Sequence, residues 1–127
     1  MKKTIIVGAT SGIGRGLAKV LVENNYKVGI TGRRTELLEE LKSHNPNKYF
    51  IKSFDLNDTN RIAQSLDEIT HELGGLDLLI ISSGTGYENE NLEFEIEKRT
   101  IDTNVTGFTC VAEIGHSIIF KSKKVDI

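Results

Sequence analysis

Tryptophan is absent from this chain, and cysteine, proline and methionine occur once each. The lone Cys110 cannot close an internal disulfide, which argues against a stapled secreted scaffold and fits a reducing cytoplasm. No stretch approaches the roughly 20 uninterrupted apolar residues of a membrane span, and the first residues read as a strand rather than a signal peptide. Neither sign of charge dominates. With 16 Lys and Arg against 18 Asp and Glu the net charge is −2, so no global basic field points to nucleic acid or an anionic membrane. Repeats and low-complexity linkers are missing too, so residues 1–127 read as one domain, able to bury about two-thirds of its unfolded surface.

What the chain does have is glycine in one telling place. Gly8-Ala9-Thr10-Ser11-Gly12-Ile13-Gly14 opens directly off the apolar run Thr4-Ile5-Ile6-Val7, and an amphipathic stretch, Ile13 to Asn24, follows. Strand, turn and helix in that order place open backbone N–H groups and the positive end of a helix dipole where a dinucleotide pyrophosphate can sit. Gly8 permits the tight turn, Gly12 lets the main chain approach the phosphates, and Gly14 lets the helix start lie close to the strand. The alternative phosphate loop fails, because no Gly-Lys-Ser/Thr follows.

The rest of the chain alternates strands and helices. The spacing predicts strands at Thr4–Val7, Lys27–Thr31, Tyr49–Phe54 and Leu76–Ile81. The first helix presents Leu17, Val20 and Leu21 on one face, and Asn25 is its stop. A second helix starts at Thr35 as N-cap and runs to Ser43, where Asn45-Pro46-Asn47 breaks it. Asp58 caps a third, whose Ile62, Leu66, Ile69 and Leu73 recur at four, three and four residues before Gly74-Gly75 ends it. A long fourth helical stretch spans about Leu92 to Phe120. This β-α-β-α-β-α-β-α pattern implies an α/β fold with a parallel sheet and right-handed crossovers. The nearly continuous apolar run of the fourth strand fits a strand covered on both faces.

These residues resemble the N-terminal, cofactor-binding half of the short-chain dehydrogenase/reductase family. The glycine segment is similar to the family's Thr-Gly-x-x-x-Gly-x-Gly fingerprint, with Val7 in place of the leading Thr. Asp55-Leu56 resembles the acidic site that hydrogen-bonds the adenine amino group. Ile81-Ser82-Ser83-Gly84 stands where the family usually has Asn-Asn-Ala-Gly, and only Gly84 is retained. Asn104 resembles the helix asparagine that anchors the family's proton-relay water. The resemblance implies a Rossmann-type, doubly wound sheet of strand order 3-2-1-4 with helices on both faces. It also implies a nicotinamide dinucleotide held by Gly8, Thr10, Ser11, Gly12, Ile13, Gly14, Asp55, Leu56, Ser83 and Gly84, with hydride passing to or from a carbonyl or alcohol carbon near Asn104.

Charge argues for the form of the cofactor. An NAD site needs a carboxylate near the end of the second strand to accept from the adenosine ribose hydroxyls. Gly32 fills that position, and Arg33-Arg34 follow. Arg33 can grip a ribose 2′-phosphate with two charge-assisted hydrogen bonds, and Arg34 can assist, so NADP is expected over NAD.

Chemistry is what the sequence does not supply. The family's reaction uses a tyrosine as general acid/base, shifted about three units by a lysine four residues on, and a serine that orients the carbonyl. Tyr26, Tyr49 and Tyr87 are followed at that spacing by Ile30, Ser53 and Asn91. In the family the Tyr-x-x-x-Lys lies beyond a fifth strand, so the resemblance implies a chain truncated before it, which binds cofactor without turning it over. The fourth strand would then be an apolar edge (Leu76, Leu78, Leu79, Ile80, Ile81) open to pairing with another chain. Ile101, Val105, Phe108, Val111, Ala112 and Ile119 give the fourth helix more apolar groups than one sheet face needs. Self-association through that helix or that edge is expected. His44, His71 and His116 are scattered with no carboxylate or thiolate at ligand spacing, so no metal is expected. Lys121, Lys123 and Lys124 read as a frayed, solvated tail.

Overall fold

A computed structural model describes residues 1–10, 12–83 and 89–123, the side chains of residues 122 and 123 excepted. Ser11, Gly84, Tyr87 and Lys124, all singled out above, lie outside the described residues.

Strand β1 (Lys3–Val7) runs into α1 (Gly12–Glu23), then β2 (Lys27–Gly32), α2 (Thr35–Ser43), β3 (Tyr49–Ser53), α3 (Thr59–Leu73) and β4 (Leu78–Ile81). The last part is one continuous helical path: α4 (Phe94–Ile101), a π-helical segment over Asp102–Gly107, and α5 (Phe108–Lys123). The strands pair in parallel, as expected from the crossovers, in the order β3-β2-β1-β4 that the family resemblance implies. Val7 lies beside Thr31 on one side and Ile81 on the other, so the strands finish along a common edge.

Alternation along the strands splits the core in two. Ile5 and Val7 join Ile62, Leu66, Ile69 and Leu73 of α3 and Val111 of α5 on one face. Ile6, Val28 and Ile30 join Ala18 and Val22 of α1 and Leu38 and Leu41 of α2 on the other. Burying each of these branched side chains is worth about 1.5–3 kcal/mol, so both faces hold the sheet. Close approach is bought by missing side chains. A Cβ at Gly29 would fall 2.7 Å from Cδ1 of Ile69, and one at Gly115 would fall 2.1 Å from Cδ2 of Leu79.

The carbonyl end of α3 is closed from two sides. Gly74 turns it off in the left-handed conformation (φ +84°), while Lys3 Nζ donates to the Gly74 carbonyl and Lys27 Nζ to that of Leu73. Asn25 likewise ends α1 at φ +67°.

Several local expectations are corrected. Val20 is exposed, because α1 turns its small residues Gly14 and Ala18, with Val22, onto the sheet. Arg34, not Thr35, holds the N-cap position of α2, since Thr35 is already helical. Asp58 does stand at the N-cap of α3, yet its side chain makes no capping hydrogen bond. The third strand stops at Ser53, one residue before Phe54. The fourth starts at Leu78, and Leu78 is 41 % exposed because no strand among the described residues lies beyond it. The fourth helical stretch starts at Phe94, not Leu92, and is interrupted by the π-helical segment. No described helix is long and apolar enough to cross a membrane.

Candidate nucleotide site

Parallel strands that finish together leave their loops to enclose a crevice, and in open α/β sheets ligands bind there. An open cleft of about 190 Å³ occupies this place, lined by Val7, Gly8, Thr10, Thr31, Gly32, Arg33, Arg34, Phe54, Asp55, Leu56, Ser82, Ser83 and Thr103. Pockets that enclose a drug-sized ligand measure roughly 300–1,000 Å³. The cleft falls below that range, so it could enclose only part of such a ligand.

The three glycines of the first turn do different jobs. Gly8 has φ +94°, and a Cβ there would lie 2.8 Å from the backbone N and Cα of Ser83. Gly14 has no room at all, since its Cβ would sit 2.0 Å from the Gly8 carbonyl oxygen. Gly12, at φ +62°, would meet nothing within 4 Å, so its flank is open. One expectation needs correcting. The Gly8 and Ala9 amides are not open to a phosphate, because both donate to the Thr31 carbonyl, at 3.2 and 3.0 Å. The donors that remain belong to the first turn of α1, from Gly12 onward, whose N–H groups have no acceptor within the helix and carry the positive dipole end. Gly12, Ile13 and Gly14 form this turn beside the cleft rather than its lining, and Ile13 is 76 % exposed.

At the β2 and β3 ends the cleft is polar. Arg33 and Arg34 are exposed on its rim, and Gly32 presents no carboxylate beside them. The Ser53 hydroxyl donates to the Arg33 carbonyl at 3.3 Å, tying the two strand ends. Asp55 sits in a tight turn, its Oδ1 accepting from the Asn57 amide at 2.9 Å and its carbonyl from the Asp58 amide at 3.0 Å. Leu56 is buried against the π-helical segment, where a Cβ at Gly107 would fall 2.7 Å from the Leu56 carbonyl oxygen. Thr103 of that segment donates to Oδ1 of Asn57 at 2.8 Å. This contact brings the helix to the cleft. Thr103 lines it, whereas Asn104 is exposed on the same segment and does not.

At the β4 end, the Ser82 amide donates to the Val7 carbonyl at 2.8 Å and sets the backbone of the next residue against Gly8. The Ser83 hydroxyl is buried and has no hydrogen-bond partner among the described residues. A buried polar atom left unmet costs about 1–3 kcal/mol, and here it borders the cleft. Open flank at Gly12, two guanidinium groups, no competing acid at residue 32 and an unmet hydroxyl together suit a phosphorylated dinucleotide. Of the residues singled out in the sequence, Gly8, Thr10, Arg33, Arg34, Asp55, Leu56 and Ser83 come together in the lining. Thr31, Phe54, Ser82 and Thr103 were not named as site residues. Strand ends in a parallel sheet share one edge, and that rule would have pointed to Phe54 and Ser82.

Tyr49 lies elsewhere, beside a recess formed with Lys19, Val22, Glu23, His44 and Asn45 at the opposite strand ends. Burial, and to a lesser extent the Glu23 carboxylate, push its hydroxyl pKa up, outweighing the lowering by Arg15. A proton relay needs the reverse.

Comparison with known proteins agrees with this geometry. A family model described as short chain dehydrogenase matches residues 2–125. An uncharacterized oxidoreductase of Mycobacterium tuberculosis is 31 % identical over 111 residues, covering 82 % of this chain and 44 % of that protein. A probable NADP-dependent dehydrogenase of Haemophilus influenzae is 30 % identical over 119 residues, covering 90 % of this chain and 47 % of the other. The crystal structure of a short-chain type dehydrogenase/reductase from Mycobacterium marinum superposes with a TM-score of 0.88 at 25 % identity, over 95 % of this chain and 51 % of that one. The chain thus spans about half the length of the proteins it matches.

Proposed function

Since this chain belongs to the short-chain dehydrogenase family, we propose that it is the NADP-binding portion of an oxidoreductase that moves hydride between NADP(H) and a small carbonyl or alcohol substrate. When bound, the nicotinamide supplies or accepts the hydride. The protein's own part is to hold the dinucleotide. Arg33, with Arg34 beside it, takes the ribose 2′-phosphate, and the turn at Asp55-Leu56 takes the adenine. Gly12, Ile13 and Gly14 offer the pyrophosphate their amides, Ser83 borders the nicotinamide end, and Asn104 supports the proton relay. The observation that carries this reading is the cleft itself, with guanidinium groups on its rim and a side-chain-free residue 32 next to them at the end of β2. The name of the Haemophilus influenzae relative supports the choice of NADP.

No Tyr-x-x-x-Lys occurs within the 127 residues, which favours cofactor binding without turnover by this chain on its own. A catalytically silent nucleotide-binding or oligomerisation module is the second reading. It is favoured by the exposure of Phe94, Ile101, Val105, Phe108 and Phe120 along the last helical path and of Leu78 at the sheet edge. Self-association through those surfaces would give a second copy as partner, in a soluble, cytoplasmic setting. Size-exclusion chromatography over a hundredfold dilution tests it, and a clean monomer throughout rejects it.

Titrating the chain with NADPH and with NADH by nucleotide fluorescence decides the main reading. NADPH is expected to bind more tightly, and Arg33→Ala to weaken NADPH selectively by about ten- to a hundredfold. Equal or absent binding of both coenzymes defeats it.

A further inference from the structure

Gly32 closes β2, yet it is not one of the glycines with positive φ, which are Gly8, Gly12, Gly74 and Gly75 among the described residues. Its backbone would accept any residue. The space around it would not. A Cβ at position 32 would lie 2.6 Å from Cγ2 of Thr10, while the next neighbour, Cδ2 of Leu38, is at 3.8 Å, an ordinary contact. The single obstacle is therefore one methyl group from the first turn, and both residues line the cleft beside Arg33.

We propose that Thr10 decides which residue position 32 can carry and, through that position, which coenzyme the end of β2 can favour. Its methyl occupies the room from which a residue-32 side chain would grow, and so keeps an acidic group from reaching the adenosine ribose at the end of β2. This rests on the reading that the cleft takes a dinucleotide. A carboxylate here would accept from ribose hydroxyls and repel a 2′-phosphate. Two elements then bear on the choice: the Arg33 guanidinium, which attracts the phosphate, and the Thr10 methyl, which a carboxylate placed at position 32 would have to displace. An acid introduced at position 32 alone must displace Thr10 or the end of β2, and its carboxylate is misplaced. Thr10→Ser removes only the methyl and keeps the hydroxyl.

The test is a double-mutant cycle read with both coenzymes. Dissociation constants for NADPH and NADH are measured by nucleotide fluorescence for the unmodified chain, Thr10→Ser, Gly32→Asp and the pair combined. Gly32→Asp alone should weaken NADPH and gain little NADH affinity. The combined variant should bind NADH about tenfold more tightly than Gly32→Asp does, a coupling of the size that touching residues show. Equal NADH affinities for those two variants would overturn the proposal.

A nucleotide-free measurement accompanies it. Gly32→Ala should lower the urea midpoint, and the loss should shrink when Thr10→Ser is also present. Equal losses would overturn the steric half of the argument whatever the binding shows. If the unmodified chain bound neither coenzyme, the nucleotide reading itself would fall and the specificity role with it, an outcome distinct from NADPH binding without coupling.

Discussion

Gly14 lies directly against Gly8: a Cβ on the former would sit 2.0 Å from the carbonyl oxygen of the latter. Nothing flexible stands in the way, so the helix itself would have to move. Gly14→Ala is expected to lift the start of α1 off β1 and to cost about 1–3 kcal/mol or more, as overpacking against a rigid neighbour does. Gly12→Ala has open space and meets only the left-handed strain of φ +62°, about 1–2 kcal/mol. Urea denaturation of the two variants should rank Gly14→Ala as the worse. The reverse order would mean that the first turn is not packed as described.

Two threonines with opposite hydrogen-bond status give a second comparison. Thr4, fully buried on β1, donates its hydroxyl to the Leu78 carbonyl of the edge strand β4 at 2.9 Å. The hydroxyl of Thr70 on α3 is buried without a partner among the described residues. Valine is nearly the same shape as threonine but lacks the hydroxyl. Thr4→Val should cost about 0.5–1.5 kcal/mol, and Thr70→Val should be neutral or stabilising, because it removes a polar group that makes no bond. Thermal unfolding of both variants checks this, and a loss at Thr70 as large as that at Thr4 would contradict it.

The spacing of Ile62, Leu66, Ile69 and Leu73 made α3 legible in the sequence, since four large apolar residues can satisfy only one helix face. The parallel sheet was legible as well from the alternation of strands and helices, whereas its order, β3-β2-β1-β4, came from the family resemblance. The inward face of α1 was not. Gly14 and Ala18 turn inward because smallness, not hydrophobicity, lets that helix approach the sheet, and Val20 consequently points to water. The π-helical segment left no periodic trace either. It occurs where Gly107 packs on Leu56 and Thr103 reaches Asn57, contacts between residues about fifty positions apart. In the site, glycine spacing located the turn correctly but could not say that Thr31 had already taken the Gly8 and Ala9 amides. That depends on which strand lies next to β1.

The ion pair between Lys52 on β3 and Glu68 on α3, with Gln64 also donating to Glu68, holds the Glu68 carboxyl below its ordinary value of 4.5. A carboxyl whose pKa is lower in the folded chain stabilises it at pH values above its unfolded pKa. That contribution is lost as pH falls through the folded value. The unmodified chain should therefore lose stability from about pH 4.5 downward more steeply than Glu68→Gln, and the two should converge in acid. Unfolding midpoints from pH 7 to pH 3 test the sign. Parallel curves would show that the pair contributes nothing measurable, as many exposed pairs do.

Ser83 offers the sharpest separation of stability from binding. Its hydroxyl is buried at the cleft wall with no hydrogen-bond partner among the described residues, so in the free chain it costs energy rather than contributing any. Ser83→Ala should leave the unfolding midpoint unchanged or raise it slightly. If a coenzyme group meets that hydroxyl, the same substitution should weaken NADPH binding by up to about tenfold, the worth of one neutral hydrogen bond. The two measurements move in opposite directions only if the hydroxyl serves the ligand. A variant that is both less stable and unchanged in binding would place Ser83 in the fold's own support, and the β4 end of the cleft would lose its claim on the coenzyme.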